Sequence, residues 1–64
     1  MKPYIYDLTW DRLEQWVADS GQPRFRTGQI FDWLYVKRVG SFDGMTNLPK
    51  ELRRQLEEQF DFTA

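Results

Sequence analysis

Arg24, Arg26, Lys37, Arg38, Lys50, Arg53 and Arg54 are the side chains in this sequence best suited to bind a charged partner. All seven lie between positions 24 and 54, where only Asp32, Asp43 and Glu51 oppose them, so that stretch carries a formal charge of +4. Residues 1–23 carry −2 and residues 55–64 carry −3, which together give the net charge of −1. A low overall charge therefore conceals a basic middle between acidic ends, and a small domain polarised in this way can present one cationic face. Arg24 and Arg26 fall at the start of a predicted helix, where the macrodipole is already positive, so helix stability does not account for them. Two guanidiniums beside free helix N–H groups would suit an anion such as phosphate. The competing reading lays them over Phe25 and pairs them with Asp19 or Asp43. Lys37 and Arg38 fall in a predicted last helical turn, where cations suit the dipole. Arg53 and Arg54 have Glu57 and Glu58 at i+4, a pattern that also suits a solvated face. Taken together, the seven would add a salt-sensitive, sequence-independent contribution to RNA or DNA affinity.

Other chemistries are poorly served. The sequence has neither Cys nor His, which removes disulfides, thiol nucleophiles, imidazole acid–base chemistry and the usual zinc ligands. No glycine-rich phosphate loop, nucleophile elbow or metal-ligand spacing is present, so no catalytic residue, metal ligand or cofactor site is assigned within this chain. The N-terminus has no signal-peptide pattern, and the longest uninterrupted apolar run, Trp33–Val36, is far too short for a bilayer. A cytoplasmic protein without a membrane partner is expected.

These cations must be positioned by helices. Pro23–Val39 concentrates Phe25, Ile30, Phe31, Trp33, Leu34, Tyr35 and Val36. On a wheel turning 100° per residue, Ile30, Phe31, Trp33, Leu34 and Tyr35 sweep roughly 200°, an arc that needs partners on more than one side. This reads as a central helix over about 25–38, stopped by Gly40. Before it, a helix over about 10–20 has Thr9 as N-cap, Asp11 in its first turn and Leu8 placed to staple onto Leu13. Its stripe of Trp10, Leu13, Trp16 and Val17 faces the core, and Gly21 and Pro23 end it. After the central helix, Ser41–Thr46 is a loop or single turn with Phe42 and Met45 as inward plugs. A third helix over about 48–60 starts with Asn47 or Leu48 at the cap and Pro49 at or near its first position, with Leu48, Leu52, Leu56 and Phe60 as its stripe. Met1–Asp7 reads as an extended arm. The tryptophans and Phe31 are expected in the core, while Tyr4, Tyr6 and Tyr35 have no assigned place. The expected architecture is a single all-α domain over residues 1–64, a small three-helix bundle like a helix-hairpin-helix module.

Two blocks of this sequence resemble a known family. Pro23-x-Phe25-Arg26-x-x-Gln29-Ile30-Phe31-x-Trp33-Leu34-Tyr35, followed by Phe42-Asp43-x-Met45-Thr46-Asn47-Leu48-Pro49-x-x-Leu52-Arg53, is similar to the N-terminal domain of the RlmN/Cfr family of radical S-adenosylmethionine methyltransferases. The likeness covers roughly residues 8–60, and the opening LTxxxLEQW fits the same pattern. It implies a longer parent enzyme that methylates C2 of adenine in 23S rRNA, and in some members tRNA. It also implies S-adenosylmethionine and a four-iron cluster held by a CxxxCxxC motif that this chain lacks. The chain then reads as an N-terminal accessory domain that helps seat structured RNA on a catalytic barrel. A purely structural domain packed on that barrel, or a free-standing protein-interaction module, are the rival expectations.

Overall fold

The computed structural model describes residues 2–62. Among them α1 spans Trp10–Asp19, α2 spans Phe25–Phe31 and runs directly into a π-helical turn over Asp32–Val36, and α3 spans Lys50–Gln59. Short 3-10 turns at Ile5–Asp7 and Phe42–Gly44 complete an all-α bundle.

The termini of α1 follow local chemistry. Thr9 is its N-cap, and its hydroxyl accepts from the Arg12 amide at 3.3 Å. At the other end Gly21 takes φ 79°, its N–H reaching the Ala18 carbonyl at 3.0 Å and the Gln22 N–H reaching that of Val17 at 3.1 Å. This pair of bonds is the Schellman motif, which needs a residue tolerant of the left-handed region.

The central helix ends differently from the sequence-based expectation. Beyond Phe31 the ladder widens, with the Lys37 N–H bonding to Asp32 O at 2.9 Å and the Val39 N–H to Trp33 O at 3.1 Å. Arg38 occupies the left-handed region at φ 53°, so the stop is Arg38 rather than Gly40, and the helical segment, π turn included, ceases at Val36 rather than near residue 38. Lys37 is consequently a capping residue and Arg38 lies outside the helix, not in its last turn. The orphaned Leu34 carbonyl is satisfied from outside, by the Tyr6 hydroxyl at 3.1 Å. α3 also starts later than expected: Pro49 is the residue before the helix and Lys50 is its first, since ψ 147° at Pro49 is extended.

The core is formed by Ile5, Leu13, Val17, Ile30, Leu34, Phe42, Met45, Leu48, Leu52, Leu56 and Phe60, all buried. The α3 stripe and both loop plugs are therefore where the apolar spacing puts them. Trp16 packs edge-on against Phe60 with ring centres 5.1 Å apart. Trp10 departs from expectation: it lies in the first turn of α1, at the rim of the bundle, and remains 45% exposed against Phe31. The N-terminal arm is extended only as far as Tyr4, where it bridges Asp61 in parallel, and then turns so that Ile5 enters the core.

Two stability measurements check this account. Leu52→Ala removes a fully buried side chain and should cost about 2–5 kcal/mol, much of what a domain this small has, read from the urea midpoint. Arg38→Gly should instead raise the midpoint, by roughly 1 kcal/mol of relieved left-handed backbone.

Candidate nucleic-acid interface

The loop between the central helix and α3 is the structural centre of the cationic side chains. Phe42, Met45 and Leu48 anchor it in the core, and its Asp43 and Asn47 carbonyls accept from side chains outside the loop. Two arginines dock on those carbonyls from opposite sides. Arg26 donates Nη1 to Asn47 O at 3.3 Å and to Gln29 Oε1 at 2.8 Å, with its guanidinium 4.8 Å from the Phe25 ring centre. Arg53 donates Nη1 to Asp43 O at 3.1 Å. Both are positioned by neutral oxygens, so neither charge is cancelled by a carboxylate.

Beside Arg26, Trp33 donates its indole N–H to the Asn47 side chain, and Lys37 places its ammonium 4.1 Å from the Trp33 ring centre. Arg26, Gln29, Trp33 and Lys37 thus form one stripe along α2 and the π turn, bordered by Asn47. Beside Arg53, a shallow cavity of about 290 Å³ is lined by Asp43, Lys50, Arg53, Arg54 and Glu57.

The remaining cations are distributed less simply. Arg24 turns toward α1 and pairs with Glu14 at 3.2 Å, so it is separated from Arg26. Lys37 also meets Asp32 at 3.1 Å. Arg54 is held by Glu51 at 2.7 Å and by Glu58 at 3.9 Å, and the Glu51 hydrogen bond, ahead of the two carboxylate charges, raises its already high pKa. All three cations are solvent-exposed, and ion pairs of this kind contribute little to stability. Among the described residues, Arg26, Arg38, Lys50 and Arg53 form no ion pair within 4 Å.

Three sequence-based expectations are corrected here. The N–H groups expected to face an anion at the start of α2 are already engaged, Arg26 N–H by Pro23 O at 3.1 Å and Thr27 N–H by Arg24 O at 3.0 Å. Arg24 pairs with Glu14 rather than Asp19 or Asp43, because the turn before α2 brings it against α1. Arg53 reaches the loop carbonyl instead of Glu57, and of the two anticipated i,i+4 pairs only Arg54–Glu58 forms. Gln29, Trp33 and Asn47 were absent from the expected site. For Gln29 and Trp33 the signal is the i, i+3, i+7, i+11 spacing with Arg26 and Lys37, which the breadth of the apolar run obscures, whereas Asn47 has none.

Residues 4–61 match the model of the ribosomal RNA large subunit methyltransferase N-terminal domain. The chain belongs to that family. It is 52% identical over 63 residues to a probable dual-specificity RNA methyltransferase RlmN of Bacillus cytotoxicus, and 50% identical to its counterpart in Bacillus thuringiensis. Each alignment takes in 98% of this chain and 17% of the relative, so the chain spans about a sixth of the length of these proteins. The crystal structure of a radical SAM methyltransferase from Sphaerobacter thermophilus superposes with a TM-score of 0.88 at 43% identity, over 95% of this chain and 18% of that one. An iron–sulfur cluster of the type expected for radical SAM enzymes finds no ligands here. The sequence has no cysteine, and the described residues contain no group of three potential metal ligands. No helix among them is long and apolar enough to cross a membrane.

Replacing Asn47 by Ala removes the acceptor of the half-buried Trp33 indole. It should cost about 1 kcal/mol and move the tryptophan emission to longer wavelength, which equilibrium unfolding followed by fluorescence would show.

Proposed function

We propose that this domain engages RNA on behalf of a longer, dual-specificity adenine-C2 methyltransferase, helping to seat structured 23S rRNA, and tRNA as second substrate, on a catalytic barrel outside this chain. The observation that carries the reading is the pair of arginines fixed on one loop, Arg26 through Asn47 O and Arg53 through Asp43 O, with their charge left available to a polyanion. A guanidinium already oriented by one carbonyl loses less freedom when it meets a phosphate. Lys50 and Arg38 extend the same unneutralised set, while Lys37 and Arg54 can exchange exposed carboxylates for phosphates at small cost. Arg24, bonded to α1, stands at the edge of the set.

Family membership supports the enzymatic half of the proposal, since the relatives are named as RNA methyltransferases and the solved homologue as a radical SAM enzyme. In such a protein, S-adenosylmethionine and the iron–sulfur cluster would supply the radical and the methyl group. This chain contributes charge and shape to RNA capture. A cytoplasmic location is in keeping with an RNA substrate.

The test uses the full-length protein and structured 23S rRNA fragments over a range of salt. Arg26→Gln with Arg53→Gln should weaken binding and lower the slope of log affinity against log salt by about 1 for each phosphate that is no longer neutralised. Lys50→Glu, at a side chain that bonds to no other described residue, should weaken binding without lowering the unfolding midpoint, since an acid suits the first turn of α3. Unchanged affinity and slope in both proteins would refute RNA engagement by this domain.

A further inference from the structure

Phe25 opens the central helix and is left outside the bundle, 60% exposed. Thr27 and Ile30 mark the buried face of that helix, and Phe25 falls roughly 140–160° round the wheel from them, on the side away from the core. Phenylalanine is also only a middling helix former, so neither packing nor propensity accounts for it. Single exposed apolar side chains are ordinary, and what sets this one apart is the group lying against it. The Arg26 guanidinium sits 4.8 Å from the Phe25 ring centre and is held there through Nη1, by Asn47 O at 3.3 Å and Gln29 Oε1 at 2.8 Å. Among the described residues its Nη2 makes no hydrogen bond, and it has no carboxylate partner. One face of the ring is thus backed by a fixed, unneutralised cation, and the exposed area lies on the other.

We propose that Phe25 is a stacking platform for the base of an unpaired nucleotide, with Arg26 beside it taking a neighbouring phosphate. This rests on the reading of the domain as RNA-engaging and narrows it from a polyanion to one element of the RNA. An apolar peptide laid on the ring would strip water from the Arg26 charge and offer nothing in return. A nucleotide matches both groups, since its base brings a π-face to the ring and its phosphate brings an acceptor to the guanidinium. The cation behind the ring adds a cation–π contribution to the same platform. Bases inside a duplex already stack on one another, so a lone exposed ring can engage only a nucleotide from a loop, bulge or end. No free helix N–H is required, which agrees with the engagement of those of Arg26 and Thr27 by Pro23 O and Arg24 O. Arg53, Lys50 and Arg38 would then grip backbone without regard to pairing, whereas Phe25 selects where the strand is open.

The test uses the full-length protein and three RNA probes of equal phosphate count: a 23S rRNA hairpin fragment, the same hairpin with abasic sites through its loop, and a fully paired duplex. Wild type should bind the intact hairpin about tenfold more tightly than the other two. Phe25→Leu should abolish that margin without lowering the unfolding midpoint or altering the slope of log affinity against log salt, and Phe25→Trp should keep it. Absence of the margin in wild type, or its survival in Phe25→Leu, would overturn the proposal. Equal weakening on all three probes also overturns it: with a reduced salt slope Phe25 merely positions Arg26, and with an unchanged slope the ring meets the rest of the protein. The Arg26→Gln, Arg53→Gln protein separates the two readings. A lowered slope there, with no effect of Phe25→Leu, removes base stacking and leaves RNA engagement standing, whereas an unchanged slope removes the engagement on which both depend.

Discussion

The arrangement depends on a loop that buries its apolar side chains and offers two carbonyls to arginines outside it. Phe42, Met45 and Leu48 join the buried core, and each buried ring or chain removes apolar surface from water. Fixing those three residues also fixes the backbone between them. Asp43 O and Asn47 O then become rigid acceptors facing away from the core, one toward α3 and the other toward α2. Arg26 and Arg53 could not be held in register by carboxylates without losing their net charge to the pairing. Neutral acceptors orient them and leave the charge in place.

Much of this architecture is legible in the sequence, for a simple reason. Residues at period four, such as Leu48, Leu52, Leu56 and Phe60, leave one face for α3, and Thr9 and Gly21 bring strong local preferences to the ends of α1. The central helix was harder, because its apolar run spans nearly every direction. Counting apolar residues does not distinguish Ile30 and Leu34, which are buried, from Tyr35 and Val36, which are not. The π-helical turn has no sequence signature at all, and a left-handed arginine two residues before a glycine reverses the usual rule for finding a helix end.

The candidate site was visible in part. Clustering of cations along the chain draws attention to residues 24–54, but spacing alone does not show which of them meet carboxylates. Arg24 and Arg26 are two positions apart and point to different elements, since residues i and i+2 do not share a helix face. Arg53 has an acid at i+4 and ignores it, because the loop offers a nearer, fixed oxygen. Trp33 reads as core by composition, yet its indole reaches Asn47 and supports Lys37 from below.

The junction between the N-terminal arm and Asp61 has a kinetic consequence. Pro3 O accepts from the Asp61 N–H at 2.9 Å, and Asp61 O accepts from the Ile5 N–H at 2.8 Å. These bonds close a circuit around nearly the whole described chain, whereas α1 packs on α2, and the Phe42–Gly44 turn on α3, as neighbours in sequence. Loop-closure entropy grows with the number of residues enclosed, so the helices can assemble before the arm arrives. Docking Ile5 and joining the arm to Asp61 therefore carries a larger loop-closure cost than the contacts between neighbouring helices.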